Sequence, residues 1–177
     1  MATLKTIQLP IHWEVLGFPE VPQVGPTTLI EGDPAWGWDT PAPDLGIPVV
    51  APPVGVEREG WGLDHVVLLV PDLEGAINTL HPVGAPRLRT TVKGRPAAFY
   101  RVGPLLEVIE SPVRSSSLFG IALVTTRSLQ TTAREWRALG LDVDDPQPAL
   151  QGGRHIFIVR GLDAGLAVMS PDGPKAG

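Results

Sequence analysis

The chain has 177 residues, a formal charge of −5 and no cysteine. Disulfides, thiolate nucleophiles and thiolate metal sites are excluded together, and no Lys/Arg cluster offers a nucleic-acid surface. Apolar residues make up 43%, enough for one or two small packed units. Met1 to Ile11 lacks a secretory-type apolar core, and no apolar run reaches membrane-spanning length. The expectation is a soluble, cytoplasmic protein with no membrane or nucleic-acid partner.

Residues 1–60 read as an extended arm. Half of the twenty prolines fall there, with Trp13, Trp36 and Trp38. Proline fixes φ and removes an amide donor, so regular elements are repeatedly interrupted. Ile7–Leu9 and Ile11–Leu16 read as short strands around Pro10, which would put His12 and Glu14 on one strand face. The tryptophans and aliphatics are too many for a solvated tail. The arm is expected to pack over the body or over a partner subunit, with a detached linker as the alternative.

From Trp61 the signals become regular. Leu63–Val70 is a strand by composition, Asp72 an N-cap, and Leu73, Ala76, Ile77 and Leu80 the stripe of a short amphipathic helix. Arg87–Val92, Pro96–Val102 and Leu105–Glu110 read as strands separated by the turns Lys93-Gly94-Arg95 and Gly103-Pro104. About fifty-five residues on, the pattern returns. Leu118–Thr125 is a strand, and Ser128 caps a helix through Leu129, Ala133 and Trp136 to Gly140. His155–Arg160 and Gly165–Ser170 are strands, with a doubtful one near Leu141–Val143. The fold class is α+β: a βαβββ unit used twice, over 61–113 and 117–172, with 173–177 as a tail.

Alternation places His65 with Leu63, Val67 and Leu69, and Glu107 with Leu105 and Ile109. A carboxylate among aliphatics must be paired, hydrogen-bonded or bound to a cation. His65 and Glu107 are therefore candidate donors for a divalent Zn, Fe, Mn or Ni ion. They equally read as a pair satisfied by each other, or by Arg89 or Arg101. The second copy carries Ile121 and Leu166 at the matching places. His155, on the face of Phe157 and Val159, is a candidate further donor, as are His12 and Glu14 from the arm. Tyr100 and Arg101 on the third strand, and Arg154 after the Gln151-Gly152-Gly153 turn, are candidate ligand-binding residues.

The repeated unit, the Leu63-Asp64-His65-Val66-Val67 opening, the Val70-Pro71-Asp72-Leu73 lead into the helix and the Leu105-Leu106-Glu107-Val108 close together resemble the vicinal-oxygen-chelate superfamily. The nearest branches are its glyoxalase-like, bleomycin-resistance-like and dioxygenase-like domains. The resemblance covers about Trp61 to Asp172. It implies a cupped, incomplete barrel holding a small oxygen-bearing ligand. It also implies a metal taken by a His or Gln of the first strand and a Glu of the last strand of each contributing module. His65 and Glu107 match the first pair, Glu107 as ligand or catalytic base; Ile121 and Leu166 do not match the second.

Two functions follow from the resemblance. One is a metal-dependent lyase, isomerase or dioxygenase acting on a small oxygenated substrate through an incomplete His/Glu site. The other is metal-independent binding or sequestration of a hydrophobic or aromatic molecule, favoured by the aliphatic replacements. A homodimer would supply the same donors a second time.

Overall fold

Prolines set the boundaries of the first strands rather than preventing them. A computed structural model describes residues 1–172, so the tail assigned to 173–177 lies outside the described residues. Strands β1 (Leu4–Leu9), β2 (Pro22–Val24), β3 (Thr27–Glu31), β4 (Ala35–Trp38) and β5 (Val56–Glu57) form one sheet in the order β4-β1-β3-β2-β5. Pro10 follows β1, Pro22 opens β2, and Gly25 at φ 65° with Pro26 makes the turn into β3. A proline at a strand end costs no ladder bond.

This sheet corrects the extended arm expected from composition. The second expected strand is also corrected, because Trp13–Leu16 is a 3-10 turn.

The second sheet carries the repeat. Its elements are β6 (Trp61–Val70), α1 (Leu73–Thr79), β7 (Leu88–Val92), β8 (Arg95–Arg101) and β9 (Leu105–Glu110). They are followed by β10 (Ser117–Thr125), α2 (Leu129–Ala138), β11 (Asp142–Val143), β12 (Gln147–Pro148), β13 (His155–Arg160) and β14 (Gly165–Met169). The order is β11-β13-β14-β10-β6-β9-β8-β7, with β12 also paired to β13. Each module runs first strand, last strand, third strand outward, and the two first strands, β6 and β10, pair antiparallel at the centre.

The helices start where the sequence places them. Asp72 accepts the Glu74 N–H at 3.2 Å, and Ser128 Oγ accepts the Thr131 N–H at 3.2 Å, each satisfying an orphan donor. The helices cover one face of the second sheet. There Val66, Leu68, Leu106, Val108, Leu123, Phe157 and Val168 are fully buried. The other face stays open.

An aromatic seam ties the two sheets together. Phe18 meets Trp61 edge-on at 4.9 Å, Trp61 stacks on Trp136 at 5.9 Å with the rings 3° from parallel, and Trp136 meets Phe157 at 5.6 Å. Leu4 N–H also donates to Val102 O at 2.8 Å. Trp36 and Trp38 are both buried and meet each other edge-on at 5.2 Å.

Candidate functional site

Residues paired across a sheet point to the same side. On the open face one row therefore runs Arg101, Leu105, His65, Ala122, Ala167, Ile158, and the next Phe99, Glu107, Val67, Gly120, Gly165. His65 and Glu107 stand on this face in neighbouring rows of adjacent strands. Their Nε2 and Oε2 atoms are 3.5 Å apart, with 17% and 12% of each side chain exposed. That separation is longer than a good hydrogen bond.

A bulge builds the rest of the site. The β6–β10 register steps from His65↔Ala122 to Leu63↔Leu123, leaving Asp64 as an extra residue of β6. A bulge re-aims side chains locally, and here Asp64 Oδ2 lies 2.8 Å from His65 Nδ1. Its other oxygen, Oδ1, accepts from Arg154 Nη2 at 2.7 Å, and Arg154 Nε donates to Ser170 O at 2.9 Å.

Arg154 heads β13, three strands from β6. In a flat sheet that is about 14 Å, farther than one side chain spans. The bond exists because the open face is concave.

Burial alone would raise the Asp64 carboxyl, but the hydrogen bonds from His65 and Arg154 outweigh it and hold the group below the usual carboxylate range. An ionised Asp64 can only accept, so Nδ1 carries the proton and Nε2 is the free nitrogen facing Glu107. Burial pushes the Glu107 carboxyl above its usual range, against the pull of His65. The array Glu107, His65, Asp64, Arg154 is an oriented imidazole beside a carboxyl poised to hold a proton.

The residues present do not fit a resident catalytic metal. Three protein ligands are usual; His65 Nε2 and Glu107 make two, and the second module places Ala122 and Ala167 on the same face. Among the described residues no three His, Asp or Glu side chains form a metal-binding group.

Several residues named from the sequence lie elsewhere. Ile121 and Leu166 are not the counterparts of His65 and Glu107: they pair with each other and are buried on the helix face. The bulges at Phe119 and Asp64 change the strand parity that counting assumes. His155 shares its face with Phe157 and Val159, which is the α2 side, and so points away from the cup.

Tyr100 pairs with Leu106 on the helix face and is 1% exposed, so its hydroxyl does not reach the cup; Phe99 takes the cup position opposite Glu107. Burial raises the Tyr100 phenol. His12 and Glu14 border a separate hollow of about 280 Å³ in the N-terminal sheet, where His12 Nδ1 lies 2.7 Å from Glu31. Arg101, paired with Leu105, stands on the open face. Asp64 was legible only as a carboxylate inside an aliphatic strand, a signal that asks for a partner.

Beside the pair, the open face continues into a cleft of about 260 Å³ floored by Val67, Leu69 and Ile109. No helix among the described residues is long and apolar enough to cross a membrane.

No protein-family model matches the sequence, and no curated protein matches it. Among solved structures, methylmalonyl-CoA epimerase from Mycobacterium tuberculosis is 17% identical, with 63% of this chain and 89% of that chain aligned at a TM-score of 0.52. A hypothetical protein from Bacillus halodurans C-125 is 15% identical, with 67% of this chain and all of that chain aligned at 0.53. Identities this low speak to the fold alone. The chain has a vicinal-oxygen-chelate-type fold.

Proposed function

We propose that the chain binds a small oxygen-bearing molecule in its cup and moves a proton on it through Glu107 and His65, in the manner of an isomerase or lyase. The single observation that supports this is the array itself. A half-buried carboxyl with a raised proton affinity faces the free nitrogen of an imidazole whose other nitrogen is fixed by an ionised, Arg-held aspartate. General acid–base work needs a group whose affinity is drawn toward the working pH and a partner held in one tautomer. Once the proton of the pair passes from the Glu107 carboxyl to His65 Nε2, the ionised Glu107 takes a proton from a carbon or hydroxyl beside a carbonyl, and the Nε2–H donates to the oxygen where charge develops. Asp64 stabilises that imidazolium, and Arg154 keeps Asp64 ionised.

The test is hydrogen–deuterium exchange in D₂O, followed by proton NMR over a panel of small keto and hydroxy acids and ketones. Exchange beside the carbonyl is expected with the unaltered protein, with and without chelator, and is lost in Glu107→Gln. A panel with no exchange at all, or exchange that persists in Glu107→Gln, overturns the reading. Exchange that depends on added divalent metal returns the site to the metal-dependent class.

A second reading is binding without turnover. The side chains Ala122, Ala167, Ile156 and Ile158 on the second half of the cup support it, because they make an apolar wall in place of further polar groups. Ligand-induced thermal stabilisation without exchange distinguishes it.

A further inference from the structure

Lys93 is the only non-glycine residue with positive φ among the described residues, at 49°. It sits with Gly94, φ 78°, at the tip of the β7–β8 hairpin. Two-residue turns with both φ positive favour Asn-Gly or Asp-Gly, and a lysine there carries a local strain cost. A cation held in an unfavourable turn position asks for a reason outside the turn.

The cleft beside the catalytic pair supplies one. Lys93 and Arg95 line it, while no carboxylate among the described residues does. Arg95 follows the parity of Phe99, so it belongs to the open face. Its Nη1 donates to Ser111 Oγ at 2.6 Å, which braces the guanidinium, and neither cation is ion-paired among the described residues. Five other arginines do have acidic partners among the described residues, such as Arg89 with Glu74 and Arg160 with Asp144.

The wall is equally specific. The β6–β10 register also shifts at Phe119, leaving it as an extra residue of β10. That bulge turns an aromatic ring, 54% exposed, toward the cleft. An aliphatic floor, an aromatic wall and two unpaired cations at one end match a single ligand chemistry.

We propose that this cleft binds a small organic acid with an apolar or aromatic body, its carboxylate held by Lys93 and Arg95. Val67 lies directly across from Glu107, so a body lying on Val67 and Leu69 brings the far end of the molecule to the catalytic pair. The inference deepens the proton-transfer reading by naming its ligand class, and it rests on that reading only for what happens at the far end.

The test compares 3-phenylpropionate with its uncharged amide by calorimetric titration, in the unaltered protein and in Glu107→Gln, so that binding is read without turnover. The acid is expected to bind roughly tenfold or more tightly than the amide, and the difference to shrink with added salt. Lys93→Gln with Arg95→Gln should abolish the preference, the affinity for the acid falling to that for the amide. Lys93→Asn removes the charge and suits the turn better, so it should weaken acid binding without lowering the thermal midpoint. Equal affinities for acid and amide, no binding of either at millimolar concentration, or a preference that survives the double variant each overturn the inference. All of these leave the deuterium-exchange test of Glu107 untouched.

Discussion

Asp64 faces His65 Nδ1 at 2.8 Å with one oxygen and accepts from Arg154 at 2.7 Å with the other. The imidazole of the first module is thus oriented by a side chain from the last third of the chain. Arg154 was a candidate to touch ligand; its guanidinium, 8% exposed, is instead committed to Asp64 and Ser170 O.

Removing that guanidinium leaves a half-buried carboxylate short of a partner. Arg154→Ala is expected to cost about 3 kcal/mol of stability, since breaking a buried pair strands the remaining charge. Arg154→Lys should recover only part of this, because one ammonium does not reproduce the two-point hold on Asp64 and Ser170. Urea unfolding measures both. An Arg154→Ala protein as stable as the unaltered one would show that the array does not bear on the fold.

Glu107 gives a pH dependence of definite sign. Its folded carboxyl holds a proton more tightly than the unfolded one, so the native state binds more protons between the two values. Its contribution is present below the ordinary glutamate range and is lost as pH rises through the raised folded value. Asp64 works the other way: its contribution is present above the ordinary aspartate range and fades as pH falls through its depressed value. Glu107→Gln should therefore flatten the stability profile across mildly acidic pH. A profile identical in both proteins would show that the Glu107 carboxyl is not perturbed by its surroundings.

The legible parts of this fold were those governed by local rules. Strand alternation around His65 and Glu107 was enough to put both on one face, and Asp72 and Ser128 cap helices as their spacing requires. The bulges were not legible. Asp64 and Phe119 are each one extra residue in a strand, which shifts parity and sends Ile121 to the helix side while Ala122 faces His65. Hydrophobic pattern could not show this, since Ile121 and Ala122 are both apolar. The N-terminal sheet was hidden for a different reason. Its strands are two to six residues long and take their stability from Trp13, Trp36 and Leu29 packing across the chain, which no local signal reports.

Gly120 stands where β10 and β14 approach closely on the open face. A Cβ there would lie 2.2 Å from Gly165 O and 2.5 Å from its Cα, so the neighbouring backbone itself would have to move. Gly120→Ala is expected to cost about 3 kcal/mol by forcing the β10–β14 ladder apart. Gly62→Ala is the comparison: its Cβ would meet only Val124 Cγ1, at 3.0 Å, a side chain that can turn. Denaturation midpoints should separate the two variants clearly. Equal midpoints would mean that the ladder is softer than its packing implies.

Through the aromatic seam the N-terminal sheet is expected to unfold as one cooperative unit with the cup. Trp61 is 8% exposed, lies flat on Trp136 and meets Phe18 edge-on, so it touches both sheets at once. Trp61→Ala removes the shared ring and is expected to cost about 3–5 kcal/mol. A linker-borne arm would melt separately. Here Phe18, Trp61 and Trp136 belong to one continuous core, and calorimetry should show a single transition whose enthalpy covers both sheets. A chain beginning at Gly60 would leave Trp61 and Trp136 uncovered and should populate soluble folded protein poorly. Two resolved transitions, or a well-folded shortened chain, would make the N-terminal sheet an independent unit.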